Sequence, residues 1–235
     1  MKQRALITGA SRGIGAAIAN KLSEDGFIVY GTSTSGKGKT EGVTEWINAD
    51  FSTQHQIDDF LNLIEQMPTF DVLVNNAGIN IIKPQNEVTK DDYSLIENIN
   101  LRAPYRIAQL ISKKMADAQY GKIIHIGSIW SIVTKANRSL YSTMKTALIG
   151  MTRATAIEWA PHNILINSIS PGFVTTELTG KSLTVEQQDE IKKQIPLHRF
   201  AKPEEIAEMT SFLYSKKNTY LTGQNIIIDG GFTIT

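Results

Sequence analysis

The sequence predicts an α/β fold: a doubly wound, seven-stranded parallel sheet covered by helices on both faces, in three layers α/β/α. Three observations carry this expectation. Short apolar runs recur between stretches of helical spacing, at 5–7, 27–30, 46–49, 71–74, 122–126, 164–169 and 225–228. The runs are near-continuous in Val, Ile and Leu rather than alternating with polar residues, as strands buried on both faces require. The first run leads straight into a glycine-rich turn, Thr8-Gly9-Ala10-Ser11-Arg12-Gly13-Ile14-Gly15, and then into an amphipathic helix over 14–23.

In chain order, the turn comes first. Its glycines at 9, 13 and 15 let the backbone bend sharply and come close to an anion. The helix behind aims its N–H groups and the positive end of its dipole at the same point, which suits the pyrophosphate of a dinucleotide. After the second strand, NAD-specific folds usually place an acid for the ribose 2′-hydroxyl. Here stand Gly31-Thr32-Ser33-Thr34-Ser35, with no acid. Neutral hydroxyls and the Arg12 guanidinium suit a 2′-phosphate, so NADPH is expected over NAD. Lys37 and Lys39 either add charge there or are solvated loop lysines. The segment 36–49 is short and dotted with Gly36, Gly38 and Gly42, which predicts a loop or a single turn. Its residues 31–38 almost spell a P-loop, but Gly38 stands where a hydroxyl must hold magnesium, so nucleotide hydrolysis is not expected. Thr184-Val185-Glu186-Gln187 is a capping box, and Lys202-Pro203-Glu204-Glu205 opens a helix with proline and two acids in its first turn.

The chemistry sits in the second half. Tyr141 and Lys145 are four apart, which on a helix places both on one face, one turn apart. An ammonium near a phenol favours the phenolate, so Lys145 is expected to lower the Tyr141 pKa and let it exchange a proton near neutrality. Ser128, ending the fifth strand thirteen residues upstream, can hold a carbonyl oxygen where that proton is delivered. Such a set reduces a ketone or oxidises an alcohol if a hydride carrier binds nearby.

Together, Thr8-Gly-x-x-x-Gly13-Ile-Gly15, Asn75-Asn76-Ala77-Gly78, Asn100, Ser128, Tyr141-x-x-x-Lys145 and Pro171-Gly172 resemble the short-chain dehydrogenase/reductase family. The resemblance covers essentially the whole chain and is nearest to the 3-oxoacyl-[acyl-carrier-protein] reductases. It implies a Rossmann-type domain over residues 1–235 with strand order 3-2-1-4-5-6-7. It implies Asn100, Ser128, Tyr141 and Lys145 as catalytic residues, with Tyr141 the general acid and Lys145 on the nicotinamide ribose. The Asn100 backbone carbonyl would hold a water in a relay to the lysine. Asp50, with Phe51 beside it, would meet the adenine; an alternative for Asp50 is a helix N-cap. Asn76, Ala77 and Gly78 would flank the adenosine. Pro171, Gly172, Val174 and Thr176 would contact the nicotinamide, and residues from 176 to about 200 would form a substrate lid. Family members commonly form homotetramers.

Composition sets bounds. The 235 residues carry 24 basic and 23 acidic side chains, a net charge of +1 without basic blocks, so neither nucleic acid nor a membrane surface is an expected partner. No cysteine is present, which removes thiol chemistry and fits a cytoplasmic protein. No leader or membrane span is expected. The four histidines share no metal spacing, and no Gly-x-Ser-x-Gly elbow exists. Trp130 and Arg138, with Lys135 between, flank the expected reaction point. Either they meet a carrier arm or acidic face of acyl carrier protein, or Trp130 stacks on a sugar or cyclic ketone; Arg138 could also cap its helix or face solvent. A rival from another class is a dinucleotide-binding protein without catalysis, against which the intact Asn100–Ser128–Tyr141–Lys145 set argues.

Overall fold

A computed structural model describes residues 2–176 and 184–235. Strands β1 (Arg4–Ile7), β2 (Ile28–Ser33), β3 (Glu45–Asn48), β4 (Val72–Asn75), β5 (Gly121–Ile126), β6 (Ile164–Pro171) and β7 (Asn225–Ile228) form one sheet. Its order is β3-β2-β1-β4-β5-β6-β7, and every pairing is parallel. Strand order reverses between β1 and β4, and that switch point opens a crevice at the carboxyl ends of the strands.

Alternation along the strands builds two cores. Leu6, Tyr30, Leu73, Ile123 and Ile166 face one side, packed under α2 (Gln54–Glu65), α4 (Ala103–Ala118) and α5 (Ser139–Trp159). Ala5, Ile7, Val29, Val74 and Ile124 face the other, under α1 (Gly13–Glu24) and α7 (Pro203–Tyr214). Each such Val, Leu or Ile contributes roughly 1.5–3 kcal/mol by leaving water. The remaining helices are α3 (Lys90–Glu97) and α6 (Val185–Gln194).

Helix ends follow their sequence signals. Thr184 and Gln187 form the expected box at α6, and the Glu205 carboxylate accepts from the Lys202 N–H at 2.8 Å to start α7. At the foot of the sheet, Asp25 beyond α1 accepts hydrogen bonds from Ser211 and Tyr214 of α7, both at 2.7 Å. No helix of the described residues is long and apolar enough to cross a membrane.

The segment after β2 is a loop, without a helix, as its glycines suggest. Gly38 lies under the Trp46 indole, where an added Cβ would come within 2.2 Å of the ring. Thr40 Oγ1 donates to the Ala10 carbonyl at 2.8 Å, tying the loop to the glycine turn. The largest boundary difference from expectation is in β2, which continues through Gly31, Thr32 and Ser33 instead of stopping at Tyr30. Those residues pair with β3, a non-local partner that a strand-length guess does not see.

Candidate active site

The carboxyl ends of β1, β2, β4, β5 and β6 open into one cleft of about 530 Å³. Every residue expected to bind the cofactor or substrate lines it, and of the catalytic set only Asn100 does not.

At the outer end, β4 and the glycine turn are stitched together. Thr8 Oγ1 accepts from the Asn76 and Ala77 N–H groups, and Asn76 Nδ2 donates to the Thr8 and Gly9 carbonyls, each at 3.0 Å. Gly15 then comes so close that a Cβ would stand 2.1 Å from the Gly9 oxygen, which no side chain tolerates. Arg12 is the extended residue before α1 and gives its N–H groups no side-chain cap. The first turn of α1 therefore keeps donors for an anion, and the close backbone approach fits a dinucleotide pyrophosphate.

The expected 2′-phosphate pocket is narrower than the hydroxyl count suggests. Thr32 is buried and its Oγ1 accepts from Gly9 N at 3.0 Å. Ser33 Oγ donates to the Lys37 carbonyl at 2.7 Å and accepts from its N–H at 3.0 Å. Thr34 and Arg12 remain exposed at the cleft. Asp50 accepts from Ser52 N at 2.9 Å, while Thr53 is the N-cap of α2, so the capping alternative for Asp50 does not hold.

At the inner end, Ser128 follows β5 and Tyr141 and Lys145 lie in the first two turns of α5. The Lys145 ammonium donates to the Ile126 carbonyl at 2.8 Å and lies 5.8 Å from the Tyr141 ring centroid. Burial pushes its pKa down to about 8. Burial pushes the Tyr141 phenol up, opposed by the Ser128 hydroxyl bonded to it and then by the Arg138 charge. The expectation that Lys145 lowers the Tyr141 pKa is thus not met in this geometry. The ammonium is turned to a strand carbonyl, and the cation acting on the phenol is Arg138.

Asn100 is 1% exposed, behind the wall of the cleft. It lies in a π-helical turn, Asn98–Arg102, between α3 and α4, rather than in a regular helix. Its Oδ1 accepts from Ile79 N at 2.9 Å and its Nδ2 donates to Ile79 O at 2.8 Å. A Cβ at Gly78 would lie 3.4 Å from Asn100 Oδ1 and 3.6 Å from Lys145 Nζ, so Asn100, Gly78 and Lys145 meet.

Several neighbours escape sequence reasoning. Phe173 extends the Trp130 wall edge-to-face at 6.1 Å and packs on Phe200 and Phe232; these rings come from segments with no shared motif. Beneath the cleft, fully buried His125 meets Asn75 Nδ2 through its Nδ1 at 3.1 Å. Only the apolar company of His125 in a strand hinted at such a role. Residues 177–183 of the expected lid lie outside the described residues. Among the described residues no cluster could hold a metal ion.

Comparison with known proteins agrees with this geometry. A family model described as Enoyl-(Acyl carrier protein) reductase matches residues 9–233. The chain is 35% identical over 240 residues to the 3-oxoacyl-[acyl-carrier-protein] reductase FabG of Aquifex aeolicus, covering 96% of this chain and 95% of the relative. It is 34% identical over 239 residues to an NAD-dependent glycerol dehydrogenase of Listeria innocua, covering 98% and 93%. Among solved structures, 4-hydroxyisoleucine dehydrogenase complexed with NADH superposes with a TM-score of 0.93 at 29% identity, over 100% of both chains. By sequence, fold and the matched extent of both, the chain belongs to the short-chain dehydrogenase/reductase family of NAD(P)-dependent oxidoreductases.

Proposed function

We propose that the protein is an NADPH-dependent reductase converting a ketone to a secondary alcohol, with a 3-oxoacyl thioester of acyl carrier protein or coenzyme A as its first candidate substrate. The observation that carries the reading is the meeting of Ser128, Tyr141 and Lys145 at the inner end of a cleft whose outer end is the glycine turn. The cofactor, when bound, supplies the hydride. Gly9, Ser11, Gly13, Ile14 and Gly15 hold its pyrophosphate. Asp50, Phe51, Asn76, Ala77 and Gly78 flank its adenosine, and Arg12 with Thr34 meets a 2′-phosphate. Pro171, Gly172, Val174 and Thr176 face its nicotinamide.

Ser128 Oγ holds the carbonyl oxygen, and Tyr141 gives that oxygen its proton. Lys145 holds the ribose, and Asn100 supports the proton path to it through the π turn. The stretch 176–200 covers the substrate. The whole chain acts as one domain, in the cytoplasm, as a homotetramer.

The thioester is supported by the likeness to 3-oxoacyl reductases over nearly the whole chain. A second reading, a small polar ketone, is favoured by the bulk of Trp130 and the cations around it. The test is NADPH oxidation with acetoacetyl-CoA, beside NADH and Tyr141→Phe. Turnover favoured by NADPH and lost by roughly 10²–10⁴-fold in Tyr141→Phe supports the assignment. Unaltered turnover in that variant overturns the role of Tyr141. No turnover of the thioester by protein that binds NADPH moves the substrate to the second reading.

A further inference from the structure

Two cations stand against one aromatic ring beside the reaction point. The Trp130 ring has Lys135 Nζ 5.6 Å and Arg138 Cζ 5.3 Å from its centroid. Among the described residues neither makes a salt bridge, and Arg138 Nε is buried with no hydrogen-bond partner. The one carboxylate lining the cleft among these residues is Asp50, at the adenosine end. Arg138 is also the residue before α5, whose first turn contains no acid. The positive end of the helix therefore adds to the local charge instead of offsetting it.

Such an arrangement is costly unless something negative completes it. A guanidinium keeps its charge even when burial lowers its pKa, as it does here. An unpaired buried donor of a charged group costs more than a neutral one, and a partner removes that cost. A guanidinium held against an indole can still offer its N–H groups to an oxyanion, in favourable cases as two parallel hydrogen bonds.

Position narrows the class. Arg138 stands three residues before Tyr141 at the start of α5 and lines the same cleft, so an anion held by Arg138 lies near the reacting carbonyl. A 3-oxoacyl thioester has no charge there; its phosphates are at the far end of a long arm. We infer that the substrate is an oxo acid, a ketone with a carboxylate a few bonds from the reacting carbon, held by Arg138 on the Trp130 face with Lys135 adding attraction. This rests on the ketone-reductase reading and takes the small polar branch of it. In the step, hydride adds to the carbonyl carbon, the C=O electron pair moves to oxygen, and Tyr141 supplies the proton. The carboxylate is unchanged, a handle for orientation.

The test compares acetoacetate and levulinate with their methyl esters as substrates with NADPH, in wild type, Arg138→Met, Arg138→Lys and Lys135→Met. The same compounds are added to each protein–NADPH complex and its melting temperature recorded. The wild type is expected to favour acid over ester in kcat/KM by roughly thirty-fold or more, collapsing to near unity in Arg138→Met. Arg138→Lys retains part of the preference, and exposed Lys135→Met loses only a few-fold. The acids, not the esters, raise the melting temperature of the wild-type complex and leave that of Arg138→Met unmoved. Equal use of acid and ester, or a preference for acid that survives Arg138→Met, overturns the inference. Reduction without acid preference leaves the reductase standing and removes the oxo-acid site. Acid-dependent stabilisation through Arg138 without reduction of any ketone supports the site and removes the reductase reading.

Discussion

His125 makes a pH test whose size follows from its surroundings. It has no exposed surface, one residue from the carboxyl end of β5. Asn75 Nδ2 donates to its Nδ1 at 3.1 Å and to the Pro104 carbonyl at 3.2 Å, so Nδ1 accepts and the proton sits on Nε2. Burial, and then the Lys145 charge, hold the imidazole down to about 3 from its usual 6.5. Between those values the unfolded chain binds a proton that the folded chain refuses. The stability linked to His125 is therefore complete above pH 6.5 and lost as pH falls toward about 3. The slope is about 1.4 kcal/mol per pH unit, so acidifying from pH 6.5 to 5 removes about 2 kcal/mol. Urea unfolding at fixed protein concentration, at neutral pH and near pH 5, measures it in wild type and His125→Gln. The difference between the two losses cancels the surface carboxylates common to both. Wild type is expected to lose about 2 kcal/mol more than the variant; equal losses would refute the assignment of a neutral, proton-refusing His125.

Other expectations can be checked independently. With Lys145 depressed to about 8, kcat/KM for ketone reduction should bend downward above that pH as the ammonium loses its proton; a profile level through pH 10 would contradict a working ammonium. Gly15→Ala forces a Cβ to 2.1 Å from the Gly9 oxygen, which should cost about 1–3 kcal/mol in thermal unfolding. It should also abolish NADPH binding in a fluorescence titration, and retained affinity would argue against the glycine turn as the pyrophosphate site. Tyr214→Phe removes a 2.7 Å hydrogen bond to the Asp25 carboxylate and should lower stability by about 1.5–3 kcal/mol in urea unfolding. No change would mean that Ser211 alone holds that corner.

What the sequence reveals depends on how far apart the partners lie. The glycine turn and the Tyr141–Lys145 step are legible because each is short-range, whereas the sheet order was implied only by the resemblance of the motifs to a known family. The commitment of Thr32 and Ser33 was hidden: their hydroxyls are spent on Gly9 and Lys37 once β2 extends and the following loop folds back. A count of hydroxyls in sequence cannot tell a free donor from a used one. The direction of Lys145 was hidden for a similar reason. A four-residue step fixes the helix face, but the Ile126 carbonyl, nineteen residues away, captures the ammonium. The aromatic wall joins Trp130, Phe173, Phe200 and Phe232, and nothing local links these positions. The Trp130–Arg138 neighbourhood, by contrast, was anticipated because it lies between two recognisable landmarks.

The hydrogen bond that Tyr214 donates to Asp25 also joins parts of the chain synthesised far apart in time. Helix α1 appears within the first two dozen residues and can pack early on β1 and β2, yet its other cover, α7, begins only at Pro203, and β7 joins the sheet later still. While the ribosome is working, α1 rests on the sheet alone, without its α7 cover, until almost the whole chain has emerged. The nucleotide-binding half is thus finished by the other end of the chain, and a polypeptide stopped before residue 203 would leave the α7-facing side of α1 to whatever chaperone or neighbour reaches it first.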